Sequence, residues 1–413
     1  MTAQTESIDF YLIRIATILC ALLLGNYVLW SLNAPGFYKT ILVIANITII
    51  GYFLIKPPFK EYWPIKVFII SILLISLGSP TKEWDARSIW LFHAKRIFFD
   101  NNLYAQLDGY CGWSHNDYPV LIPALSATLA KIVGYWNEVF PKLSSILAFI
   151  PAILLLSSML KHRFKQLLLC NLLLFILYEH LISGYMDGIL AIYFTAASLL
   201  IYLLTAPTGE RSDLDSSQRL WLYLSSFFVF SSLTLIKNEG LVLFVVLVSA
   251  AFLTRIIFRK TKITATTIII FLVSLAPIAI WKIVCAKSGV NNDLASSNLT
   301  AQLMGRVFLI GAYLKIGAAL ILESRVYLPL ILFIFVARDI KHRTGVIFIA
   351  FSSLLYFCVL FAVYLSTHAE LGWHLSTSAS RTILPIGLSL GFYALLFFRI
   401  ERITEGTNLS KIN

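Results

Sequence analysis

The chain is a succession of apolar runs, each close to bilayer length and separated from the next by short polar or basic loops. A helix rises about 1.5 Å per residue, so roughly 20 apolar residues cover the hydrocarbon core. Such runs fall at about 9–31, 39–55, 64–79, 140–159, 166–184, 187–205, 219–236, 239–255, 263–284, 321–337, 345–364 and 383–399. Charged residues normally supply about a quarter of a soluble chain. Here they supply 13% of 413 residues, against 59% hydrophobic residues and a mean hydropathy of +0.82. No soluble core absorbs that much apolar surface. The pattern predicts an all-α polytopic membrane protein of about 12 transmembrane helices, with a helical first outer loop.

The basic loops set an orientation. Lys56, Lys60 and Lys66 flank one loop; Lys161, Arg163 and Lys165 a second; Arg255, Arg259, Lys260 and Lys262 a third; Arg338, Lys341 and Arg343 a fourth. Twelve crossings with both termini inside place all four in the cytoplasm, as the positive-inside tendency requires. The net charge of +12 is thereby explained by topology, and nucleic acid is set aside as a partner. The first run is too long for a cleavable signal and reads as a retained helix.

Two further apolar stretches must not cross if this parity is to hold. Residues 118–135 read as a re-entrant or interface-lying helix, and 300–320, which carry Arg306 and Lys315, as an outer amphipathic segment. The organisation is then N-terminal helices over 1–79, an outer loop over 80–139, helices over 140–284, a second outer loop over 285–320, and C-terminal helices with a cytoplasmic tail over 321–413. No internal repeat is visible. Of the five cysteines, Cys20, Cys170 and Cys358 lie in apolar runs and read as core, while Cys111 and Cys285 could meet outside. Asn298-Leu299-Thr300 is a glycosylation sequon in a eukaryotic host only.

With orientation fixed, Asp85, His115, Asp117, Asp187, Lys237, Glu239, His374 and Arg381 all fall at outer helix ends or in outer loops. Asp85 opens EWDARSIWLFHAKRIFFD, in which Trp90, Leu91, Ala94, Ile97 and Phe98 share one helical face, an interfacial helix with that face in lipid. The plain reading of Asp85 is a helix cap; the functional one is a carboxylate aimed at a surface site. In SHNDYPVLIPAL, His115 and Asp117 precede an extended X-Pro step, where such residues are as often solvated or capping as functional. Glu179 and His180 are an ionisable pair near a helix end, expected either to serve function or to pair with each other or with Lys237. Five of the seven histidines lie outside but without tight His-x-x-x-His spacing, so a divalent cation is left open.

An acidic residue heading an interfacial helix, followed by a His/Pro-type step into a membrane-dipping helix, resembles the first outer loop of GT-C glycosyltransferases. These are polytopic enzymes using polyprenyl-phosphate sugars, among them protein O-mannosyltransferases and lipid A aminoarabinose transferases. SGYMDGILAIYF from Ser183 is similar to the family's acidic inter-helix residue, LTLIKNEGLVLF from Leu233 to its Lys/Gly turn, and ELGWHLSTSASRTILP from Glu370 to its late outer loop. The likeness runs in order through residues 83–385. It departs in having three helices before the acidic loop instead of one, Ala86 and Arg87 in place of a second acid, and no soluble domain after the last helix.

The resemblance implies a GT-C-like fold and a membrane glycosyltransferase moving a sugar from a polyprenyl-phosphate donor to a glycan, lipid or protein acceptor, with inversion. Such a reaction needs a base for the acceptor and cations for the departing phosphate, which points to Asp85 as the base, Arg381 and Lys237 on the donor phosphate, and His115, Asp117, Asp187, Glu239 and His374 toward sugar or acceptor, Asp117 and Asp187 holding sugar hydroxyls or a cation. The expected location is a bacterial inner membrane with the site facing the periplasm. The rival is a transporter or flippase for a lipid-linked or anionic solute, which the missing repeats and one-sided charge disfavour. A non-catalytic subunit that kept the fold is a third alternative.

Overall fold

The computed structural model describes residues 8–56, 59–105, 107, 111–205, 214–258, 261, 263–290, 299–338 and 343–398. Among them the regular structure is helical throughout, and the chain is an integral membrane protein. The helices are α1 (Phe10–Ser31), α2 (Gly36–Ile55), α3 (Phe59–Gly78), α4 (Leu91–Asp100), α5 (Leu121–Val133), α6 (Val139–Ser157), α7 (Arg163–Ile182), α8 (Asp187–Thr205) and α9 (Ser216–Ile236). They continue as α10 (Asn238–Ile257), α11 (Ala265–Val273), α12 (Ala276–Lys287), α13 (Leu299–Val307), α14 (Ile310–Ile321), α15 (Ser324–Ala337), α16 (Arg343–Ser366), α17 (Leu371–Thr382) and α18 (Leu384–Phe397). Eleven segments are long and apolar enough to cross a membrane, α11 with α12 and α17 with α18 each forming one; the bent pair α14 and α15 makes twelve.

α8 is the axis of the bundle. Every one of its residues is buried, and α6, α7, α9, α10 and α18 pack around it. α2, α11 and α16 instead turn much apolar surface outward, as helices bathed in lipid do. The Asn298 sequon, the Arg259, Lys260, Lys262 and Lys341 positions and the tail from 399 lie outside the described residues.

Several expectations are corrected. The run at 321–337 is a helix of only 14 residues, α15, or about 21 Å, and it meets α14 at 72°. Contacts decide its course. Lys282, near the end of α12, reaches Asp117, and Arg325, at the start of α15, packs against Gly387, near the start of α18 and six residues after Arg381. Residues 299–323 therefore stay at that end of the bundle, and α15 leaves it alongside α18, its Arg325 carbonyl where a Cβ on Gly387 would sit. The last helical run is also longer than 383–399, because α17, which carries Arg381, continues into α18.

The apolar face of α4 does not lie in lipid. Trp90, Leu91, Ala94, Ile97 and Phe98 are all buried against protein, chiefly α5, and His93 is wholly buried too. α5 is 13 residues long and buried from Leu121 to Ala130, covered by protein instead of crossing alone. Cys111 and Cys285 remain free thiols, one exposed and one buried, and Cys358 is exposed on α16 instead of in the core.

Candidate functional site

The junctions α3–α4, α7–α8, α9–α10 and α16–α18 meet at one end of the bundle, and the polar residues they carry form a connected ionic network. Local sequence sets each junction. α3 ends at Gly78, and buried Lys142 of α6 donates to the Ser79 carbonyl, which pins the start of the outer segment. A π-helical turn follows over Ala86–Trp90, a rare geometry that re-aims side chains. Gly184, at φ +87, lets the α7–α8 turn press on this segment, since a Cβ there would sit 3.1 Å from the Ala86 Cβ. That contact brings Asp85 beside the first residue of α8, Asp187.

Asp187 thus heads the most buried helix, where the unpaired amides of the first turn favour an anion. Lys237 is both the C-cap of α9 and the N-cap of α10. The tight step between those helices depends on Gly240, because a Cβ there would fall 1.9 Å from the Leu233 carbonyl oxygen. Arg381 lies in the last turn of α17, where a cation meets the helix's negative end.

The contacts link these residues in series. Arg381 Nη1 donates to Asp85 Oδ2 at 2.6 Å and lies 3.7 Å from Asp187 Oδ2. Lys237 Nζ donates to Asp187 Oδ1 at 3.0 Å and stands 3.0 Å from Glu239 Oε1. Two cations and three carboxylates are so held together in a largely dry place, with Lys237 only 9% exposed. Burial opposes the charge on Lys237, but Asp187 and Glu239 outweigh it and hold its ammonium above the usual lysine range. Aromatic rings floor the network: the Arg381 guanidinium lies 4.9 Å from the Tyr185 ring centre, and Lys237 Nζ 5.6 Å from that of Tyr118. Tyr185 in turn donates to Glu83 at 3.1 Å, and burial, then the Asp85 charge, push its hydroxyl up.

A second set adjoins through Asn238. Its amide donates to Asp117 Oδ2 at 2.6 Å and accepts from Lys282 Nζ at 2.7 Å, while Trp281 Nε1 donates to the Asp117 carbonyl at 2.9 Å. Asp85, Asp117, Asp187, Lys237, Glu239 and Arg381 are therefore brought together. His115 joins at the edge, its ring 5.0 Å from Tyr118 in a left-handed turn at φ 50. His374 does not join. It bonds Thr367 at 2.8 Å and packs on Tyr364, whose hydroxyl bonds Ser378 and Thr382 on the turn that carries Arg381.

The cap reading of Asp85 is not what the geometry gives, since its side chain makes no capping bond and goes to Arg381. Glu179 and His180 do not pair with each other or with Lys237. Glu179 is exposed, while His180 is buried with neither ring nitrogen hydrogen-bonded and its ring 5.6 Å from that of Tyr185. Tyr118, Tyr185, Asn238, Lys282 and Arg325 were not singled out in the sequence. Only Asn238 carried a signal, a polar residue between Lys237 and Glu239 at a helix start. No group of three His, Cys, Asp or Glu side chains able to hold a metal ion occurs among the described residues.

No family profile, characterised protein or solved structure matches the chain.

Proposed function

We propose that the protein is a membrane glycosyltransferase that moves a sugar from a polyprenyl-phosphate donor to an acceptor at the outer face of a bacterial inner membrane. The observation that carries this reading is the Asp85–Arg381–Asp187–Lys237 series, in which acids and bases from residues far apart in the chain meet at one end of the bundle. A transport pathway instead wants its polar groups near the bilayer midplane. The motif order that resembles GT-C enzymes is the second support.

Transfer needs a base for the acceptor hydroxyl and cations for the departing phosphate. The acceptor oxygen attacks the anomeric carbon, the bond to the phosphate oxygen breaks, and the phosphate leaves with that electron pair. Asp85 takes the acceptor proton. Arg381, a planar fork, and Lys237, a point charge, hold the phosphate. Direct displacement inverts the anomeric centre. Arg381 is bonded to Asp85 in the resting geometry, so a donor phosphate that engages Arg381 competes for it and frees the carboxylate for the acceptor. Asp117 and Asp187 are each already engaged by a lysine, which suits them to ordering the cations and sugar hydroxyls more than to proton transfer.

The test is transfer from polyprenyl-phosphate sugars by purified Asp85→Asn and Arg381→Ala proteins. Asp85→Asn should lower turnover on the order of a hundredfold or more with donor binding kept, because size is retained and basicity lost. Arg381→Ala should lose the thermal stabilisation given by polyprenyl phosphate but not by the neutral polyprenol. Full activity in Asp85→Asn, or unchanged donor stabilisation in Arg381→Ala, overturns the assignment.

A further inference from the structure

A second site lies on another face of the helical segment that carries Asp85. A cavity of about 380 Å³, within the usual range for small-ligand sites, opens between this segment and the start of α6, lined by Lys82, Trp84, Arg87, Lys95, Trp136 and Glu138. Trp84, Arg87 and Lys95 reach it from both sides of the π-helical turn, so this segment presents an indole and two cations to the cavity. Three cations face one carboxylate. Glu138 lies 3.8 Å from Arg87, and among the described residues Lys82 and Lys95 have no ion pair. Unlike the network at Asp85, this cavity has surplus positive charge.

Its surroundings say where the matching anion comes from. Trp84 is 53% exposed, and Trp136 also lines the cavity. Indoles favour the headgroup level of a bilayer, where one edge is apolar and the other wet. Directly beside the cavity, Tyr135, Val139 and Phe140 turn outward where the α6 crossing begins. A ligand bound here has its anion among the lysines and an apolar strip leading toward the membrane.

We propose that this cavity binds the phosphate of an anionic phospholipid headgroup, with the acyl chains passing along the Val139–Phe140 side. The cations neutralise the phosphate, the indoles cover the glycerol, and α6 offers the chains a path out. The site is independent of the glycosyl-transfer reading and stands or falls on binding alone.

The experiment titrates full-length protein in uncharged detergent with dioctanoyl phosphatidylglycerol, dioctanoyl phosphatidylcholine and glycerol phosphate, reading thermal stabilisation. Phosphatidylglycerol should act at concentrations at least about tenfold lower than either of the others, the first because it carries net charge and the second because it has chains. Lys82→Ala/Lys95→Ala should raise that concentration about tenfold. Both side chains are exposed and lack ion pairs, so folding is expected to survive; if it does not, Lys95→Gln alone serves, with a smaller shift in the same direction. Arg255→Ala, in the last turn of α10 at the other end of the bundle, should change nothing. Equal potency of phosphatidylcholine, or an unshifted curve in the lysine variants, overturns the site. Equal potency of glycerol phosphate replaces a lipid site with one for a free anion and overturns the proposal as stated.

Discussion

The same outer segment carries charge in two ways, and the contrast separates preorganisation from recruitment. On the inner side, Asp187 and Lys237 are buried, Asp85 and Arg381 are partly buried, and each meets an opposite charge. On the other side, Lys82, Arg87 and Lys95 surround an open cavity with a single carboxylate among them. Burying an ion costs several kcal/mol unless a partner compensates, so the inner charges exist only because the fold supplies partners. Exposed lysines incur little such cost and can wait for an external anion. The inner network is thus part of the structure, and the outer cavity is not.

The sharpest way to break this contrast is to delete one lysine on each side. Lys237→Met keeps volume but leaves Asp187 buried without its nearest cation, which should cost about 3–5 kcal/mol in a denaturant titration. If Lys237→Met unfolds at the wild-type midpoint, the network is not holding the bundle together.

His93 offers an intermediate case, a titratable group of the outer loop that is wholly buried. Burial lowers its pKa from 6.5 to about 4, with the Ser114 backbone pulling slightly the other way. The unfolded ring takes a proton below about 6.5 while the folded ring does not, so the unfolded state binds more protons in that window. The stability tied to His93 is complete above pH 6.5 and falls away as the pH drops toward 4, by up to about 3 kcal/mol. The difference between wild type and His93→Leu, followed from pH 7 to 4.5, should carry this slope. Parallel curves would mean the ring is not held neutral.

The smallest effect is expected in the cavity. Lys95→Met should shift the unfolding midpoint by no more than about 0.5 kcal/mol in lipid-free detergent, since an exposed charge without a partner contributes little. A large loss there would erase the distinction between the two sides.

The membrane-spanning architecture was legible because a bilayer imposes a length and a composition on each crossing, and both are local properties. The mistakes in it came where length fails as a guide. α15 is too short to be counted alone, and only its packing along α18 and the position of Arg325 give its course. The interfacial reading of α4 failed for a related reason, since an amphipathic face looks the same whether lipid or α5 covers it.

In the candidate site, the sequence by itself determined which acids and bases stand at helix ends, because polar residues interrupting apolar runs are visible without any knowledge of contacts. Asp85, Asp117, Asp187, Lys237, Glu239 and Arg381 were found that way. Which of them touch was decided by tertiary structure alone: Asp85 and Arg381 are 296 positions apart, and no local pattern encodes that pair. The same holds for His374, which reads like its neighbours in sequence but is drawn to Thr367 and Tyr364 instead. Periodicity reports the face and end of a helix on which a residue lies. Contact depends on how helices pack around α8, and that rests on close approaches such as those at Gly184 and Gly240, whose necessity appears only once the opposing backbone is in place.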